Sequence, residues 1–196
     1  MPVRIELHQS QFGEGERHLC QTADHAVSTF RFESGVAALR IRNARGEIVV
    51  LPFQGQQVWR AVFDGRDLTM RSMFDQPRAT RVYLETYGAF LIHCGLSGLG
   101  APGPSDTHVL HGELPNAPYQ RAWIEIDEAA GTVASAGSYQ HTVAFSTNYI
   151  FRVDTRLAAN SALLDVGVAI IHGFEIGMRQ IHQVHRRALE VLDSDP

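Results

Sequence analysis

A chain of 196 residues, 44% of them apolar and 19% charged, has the size and make-up of one globular domain with a filled core, not of a disordered, fibrous or membrane-embedded chain. Its net charge of -4 comes from acids and bases that alternate in sign, and without a dense basic stretch no nucleic-acid partner is expected. Cys20 and Cys94 are too few and too far apart for a disulfide framework or a closed zinc site, so both are expected as free thiols.

The N-terminus, Met-Pro-Val-Arg-Ile-Glu-Leu-His, lacks a basic stretch followed by an apolar run, and no apolar segment is long enough to cross a bilayer. A cytoplasmic protein with no membrane partner is expected. Strand-like segments then follow one another at 3–7, 26–32, 36–42, 47–52, 58–63, 122–127, 132–139, 149–157 and 163–171. Thr29-Phe30-Arg31-Phe32-Glu33 and Ala38-Leu39-Arg40-Ile41-Arg42 alternate apolar with polar residues, as strands with one wet face do. Asn43-Ala44-Arg45-Gly46 and Asp64-Gly65-Arg66-Asp67 supply turn chemistry between such runs. The pattern predicts an all-β fold, an antiparallel β-sandwich or distorted barrel in a single domain spanning residues 1–196.

Two regions interrupt the strands. Residues 94–116, rich in Gly, Pro, Ser and Asp, read as a long loop of the kind that carries function. Near the C-terminus Phe174, Met178, Ile181, Ala188 and Leu192 fall at roughly helical spacing, which predicts a C-terminal helix over about 174–192.

The most chemically loaded stretch is 108–119, where His111, Gly112, Glu113 and Asn116 stand together between His108 and Tyr119. An imidazole gives or takes a proton near neutrality, a neighbouring Gly clears space around it, Glu113 adds a second proton-active group, and Pro115 and Pro118 stiffen the backbone. Gln54, Gln56, Gln57 and Trp59 combine amides with an indole, a composition that suits a polyol, although a strand with one wet face explains it too. Arg71 could clamp ligand oxygens, and Glu85 and His93 lie near a buried apolar run, where a His is more often a core residue than a catalyst. His93, Cys94, His108 and His111 raise a zinc or iron reading, but their spacing fits no tight ligand motif, so neither metal nor cofactor is expected.

Taken together, Leu51-Pro52-Phe53-Gln54-Gly55-Gln56-Gln57-Val58-Trp59, Leu91-Ile92-His93-Cys94-Gly95-Leu96 and 108–119, with the Glu85 to Gly88 segment between them, resemble the galactose-mutarotase-like superfamily. Within it, the likeness is to aldose 1-epimerase-like proteins of unassigned substrate, and it runs over about 33–170. The resemblance implies a mutarotase-like sandwich that binds a small-molecule sugar across one sheet and interconverts anomers by acid/base ring opening. On that implication His111 is the acid or ligand-binding residue, and Gln57, Trp59, Arg71 and His93 line the substrate pocket. The family's usual base has no matching position, so Glu113 is the second catalytic candidate with Glu85 as the alternative base, and Glu85 and Asn116 complete the substrate-binding set. The family carries a second His and its catalytic carboxylate in later strands, whereas here residues 171–196 form an atypical tail. Two outcomes stay open. Either the sandwich has unpaired edges that favour a homodimer, or the tail helix caps them and leaves a sugar-binding or interaction protein without turnover.

Overall fold

The structure, a computed structural model, describes residues 1–173 and 179–189. In chain order the strands are β1 (Val3–Leu7), β2 (Arg17–Gln21), β3 (Ala26–Arg31), β4 (Ala37–Arg42), β5 (Gly46–Val50), β6 (Val58–Phe63), β7 (Arg66–Asp67), β8 (Arg121–Asp127), β9 (Thr132–Thr142), β10 (Asn148–Ala158), β11 (Leu164–Gly173) and β12 (Arg179–Leu189). Single 3-10 turns stand at Gln9–Gln11 and Tyr83–Glu85. Among the described residues the strands make two six-stranded sheets, ordered β1-β8-β9-β10-β11-β12 and β2-β3-β4-β5-β6-β7. Every neighbouring pair is antiparallel.

Residue chemistry sets the turns. Asp64 and Gly65 both take left-handed backbone angles (φ +50° and +74°), so the β6–β7 hairpin closes in two residues with a twist that matches its strands. Asn43 accepts hydrogen bonds from the Arg45 and Gly46 amides, which folds the β4–β5 turn. Its side-chain amide donates to the Ala158 and Ser161 carbonyls at 2.8 and 2.7 Å and ties that turn to the other sheet.

The two-residue alternation of β4 sends Ala37, Leu39 and Ile41 into the space between the sheets, where they meet Ile124 and Ile126 of β8, Val133 of β9 and Leu157 of β10. Ala38, on the opposite face, packs instead with Val49, Leu51, Trp59 and Ala89. Each large side chain buried this way contributes roughly 2 kcal/mol of transfer free energy.

The first sheet outruns the second. β9 and β10 are 11 residues long, against six for β4, and the face of β9 and β10 that holds Val133 and Leu157 continues through Tyr139, Tyr149, Phe151 and Val153. Over that continuation the second sheet is replaced by a loop, which contributes Leu114, Ala117 and Tyr119. A sheet face covered half by a sheet and half by a polar loop is the setting of the candidate site.

The helix expected over 174–192 is corrected. Residues 179–189 form β12, paired with β11 from Leu164↔Leu189 to Gly173↔Arg179, while 174–178 and 190–192 lie outside the described residues. The apolar spacing reads as helical, but the edge of β11 turned away from β10 offers otherwise open backbone N–H and C=O groups, and β-branched Ile181 and Val184 suit a strand. Pairing along a sheet edge wins over spacing, so a strand extends the sheet where a helix was expected to cap it. Among the described residues no helix is long and apolar enough to cross a membrane.

Candidate functional site

One long connection, 68–120, carries the chain from β7 to β8, and its later part closes over the exposed half of the first sheet. Backbone bonds fix its shape: Gly95 N donates to His111 O (2.9 Å), His111 N to Gly100 O (2.9 Å) and Leu114 N to Gly95 O (3.0 Å). His111 is held at φ +60°, a left-handed angle that costs a side-chain-bearing residue about 1–2 kcal/mol. Gly112 follows at φ +77°, and a Cβ there would stand 2.5 Å from Gly95 O and 2.6 Å from Gly98 O. Gly112 therefore has a backbone reason to be glycine, and His111 is one of five side-chain-bearing residues held at a left-handed angle among the described residues.

Buried amides tie the loop to the second sheet and the β5–β6 connection to the first. Gln57 is 1% exposed and donates to Pro115 O (2.6 Å) and Asn116 Oδ1 (2.9 Å). Gln56, wholly buried, donates to Pro52 O and Ala136 O and accepts from Ser135 Oγ. Asn116 is 3% exposed; it donates to Val82 O, while its backbone carbonyl accepts from Arg81. Gln57 and Asn116, both expected on the pocket wall, are thus tied into the loop's hydrogen-bond framework. Beside them a cleft of about 240 Å³ is lined by Gln54, Ala79, Thr80, Arg81, Asn116 and Pro118.

Glu113 is the centre of the polar cluster. Its Oε1 accepts from Leu96 N (3.0 Å), Ser97 N (3.2 Å) and the Tyr149 hydroxyl, and its Oε2 from the Ser97 amide (3.3 Å) and hydroxyl. Burial alone would raise its pKa, but the Ser97 and Tyr149 hydrogen bonds, with those of the backbone, outweigh burial and hold the carboxyl below the usual range. Burial, reinforced by the Glu113 charge, pushes the Tyr149 phenol up, so it stays a donor. The Tyr149 ring stacks on His141 at 5.1 Å, and His141 Nδ1 lies 3.0 Å from Tyr139 Oη. His111 packs against Tyr83 with ring centroids 4.9 Å apart, and its Nδ1 is buried without a hydrogen-bond partner.

The other expected residues stand apart from this cluster or serve it indirectly. His93 sits edge-on to Phe151 (6.1 Å), with Nε2 buried and unpartnered, and burial pushes its pKa down to about 4, so it is neutral near pH 7. Trp59 is 7% exposed and belongs to the apolar cluster on the far face of the second sheet. Arg71 is exposed, and Glu85, also exposed, accepts from Thr80 Oγ1 at 2.6 Å. His93, Cys94, His108 and His111 do not converge: among the described residues no group of three or more His, Cys, Asp or Glu could hold a metal ion. Tyr83, Ser97, Tyr139, His141 and Tyr149 join the site only through the fold.

Comparison with known proteins agrees with this architecture. A family model described as a domain of unknown function (DUF4432) matches residues 33–170, which include the whole loop and the His141–Tyr149 pair. No curated protein matches the chain. The fold matches a crystal structure from Klebsiella pneumoniae, described as a "putative aldose 1-epimerase", with a TM-score of 0.73 over 88% of this chain at 16% identity. That match takes in 52% of the other chain, so this protein spans about half the length of the structure it resembles. At such identity the likeness is one of fold, and it is the mutarotase-like β-sandwich implied by the three sequence segments. The family model covers well over half of the chain, and the protein belongs to the DUF4432 family.

Proposed function

We propose that the protein binds an aldose over the loop-covered half of the first sheet and interconverts its anomers. The observation that carries this reading is the asymmetry of Glu113. Oε1 is anchored by buried Tyr149 and the Leu96 amide, the Ser97 amide is shared between the two oxygens, and the one further donor to Oε2 is the hydroxyl of exposed Ser97. An anomeric hydroxyl can take the place of the Ser97 hydroxyl at Oε2. Glu113 then accepts the anomeric proton while His111, as imidazolium, protonates the ring oxygen. The bond from the anomeric carbon to the ring oxygen breaks as the exocyclic C–O bond becomes a carbonyl. Rotation of the aldehyde and reclosure return both protons and give the other anomer. The steps use no redox partner and no cofactor.

One observation favours a second reading, a sugar-binding protein without turnover. A carboxylate held below its usual range by several donors is a weak base. Glu113→Gln and Ser97→Ala separate the two readings. If Glu113 is the base, Glu113→Gln slows anomer exchange by about 100-fold or more while Ser97→Ala stays within a few-fold of wild type. Exchange at the wild-type rate in Glu113→Gln removes Glu113 from the chemistry, and sugar binding without accelerated exchange in the wild type establishes the second reading.

A further inference from the structure

The ring of His141 is fixed on two sides. Tyr149 is its direct cross-strand partner, and the two rings stack at 5.1 Å with an interplanar angle of 28°. Two residues earlier on the same face, Tyr139 places its hydroxyl 3.0 Å from His141 Nδ1. Tyr139 is 7% exposed, and among the described residues His141 Nδ1 is the one acceptor within hydrogen-bond reach of its hydroxyl, which points the hydroxyl proton at the imidazole. A neutral imidazole that accepts at Nδ1 carries its own proton on Nε2. His141 is half-buried, and its Nε2, unlike Nδ1 of His111, is neither hydrogen-bonded among the described residues nor sealed from solvent.

We infer that His141 is a ligand-contact residue of this site and Tyr139 its positioning residue: the Tyr139 hydroxyl holds the neutral ring as the Nε2–H tautomer, which donates to a hydroxyl or ring oxygen of the bound aldose. The inference rests on the carbohydrate reading above and extends it to a residue on a different element. It sets an N–H donor on a ring stacked against Tyr149, whose hydroxyl donates to Glu113. That combination fits a polyol, whose hydroxyls both give and take hydrogen bonds.

The test is long-range proton–nitrogen NMR on protein labelled at its histidines, free and with D-glucose, D-galactose or their 6-phosphates. The expected result for the free protein is the Nε2–H tautomer at His141, lost or mixed in Tyr139→Phe, a change that a merely structural tyrosine would not produce. A sugar that broadens should shift the His141 ring signals, and His141→Phe should weaken its binding about tenfold, as loss of one hydrogen bond of roughly 1.4 kcal/mol does. His141→Gln, which keeps an amide donor, should recover part of that loss. An Nδ1–H tautomer in wild type overturns the positioning role. A sugar that shifts His111 but leaves His141 unmoved, with unchanged binding by His141→Phe, overturns the contact while the carbohydrate reading stands. If no sugar perturbs either ring, the carbohydrate reading falls and takes the contact with it, and the tautomer of the free protein still decides the role of Tyr139.

Discussion

Burial of His93 against Phe151 makes a titratable group resist protonation, and that has a measurable consequence for stability. Above its ordinary value of 6.5 neither the folded nor the unfolded chain protonates it, and the fold keeps its full stability. Between 6.5 and about 4 the unfolded chain takes up a proton that the folded chain refuses, so stability falls as pH falls, by roughly 2 kcal/mol at about pH 5. Urea unfolding at about pH 7 and pH 5 should show this loss in the wild type, and His93→Leu should lack most of it. Gln57 makes a different prediction: with Pro115 O left buried without a donor and Asn116 Oδ1 left with Gln54 Nε2 alone, Gln57→Ala should cost about 1–3 kcal/mol in the same experiment. At this scale the sequence is a partial guide. Amides next to a glycine announce polarity, and polarity alone does not say whether Gln57 or Asn116 meets a ligand or the back of a loop. The partners of both side chains lie elsewhere along the chain, Pro115 for Gln57 and Val82 for Asn116, and naming them needs the fold.

The loop is an element whose shape depends on Gly112. Gly112→Ala sets a Cβ against two backbone carbonyls at a left-handed angle, so the 95–114 turn must open. The expected result is faster hydrogen exchange at the Gly95 and Leu114 amides, whose bonds close that turn, with the amides of β4 and β8 unchanged. The nine strands expected from alternation and turn residues all form, because period-two patterning is a local property that burial on one face then enforces. β2, Arg-His-Leu-Cys-Gln, escapes such reading: it is an edge strand with no more than partly buried side chains, so little alternation is selected. β12 escapes it because its pairing with β11 is a long-range property. The aromatic cluster did leave a signal, Tyr139-x-His141 at the end of one strand and Tyr149-x-Phe151 at the start of the next. Once the hairpin register is known, Tyr149 falls opposite His141 and Tyr139 opposite Phe151.

Across the whole molecule, one sheet serves two purposes. Half of its inner face joins the second sheet in an apolar core, and the other half, with the loop, holds titratable groups in place. Leu39→Ala, at a wholly buried position in the first of these, should cost about 2–5 kcal/mol and lower every unfolding probe together. The contrast with Gly112→Ala separates the scaffold from the site. The sandwich is legible from sequence through its strand patterning and three ordered segments, and the structural match agrees with it. His111 and Glu113 stand out in the sequence too, but the surroundings of Glu113 do not, because Ser97 and Tyr149 are brought to it only by the fold. The most direct measurement is two-dimensional exchange NMR of a panel of free aldoses and their 6-phosphates with catalytic amounts of protein. Anomer exchange above the buffer rate for at least one sugar, lost in His111→Asn, is the predicted result; buffer-rate exchange and unbroadened lines for every sugar would contradict a carbohydrate site on this face.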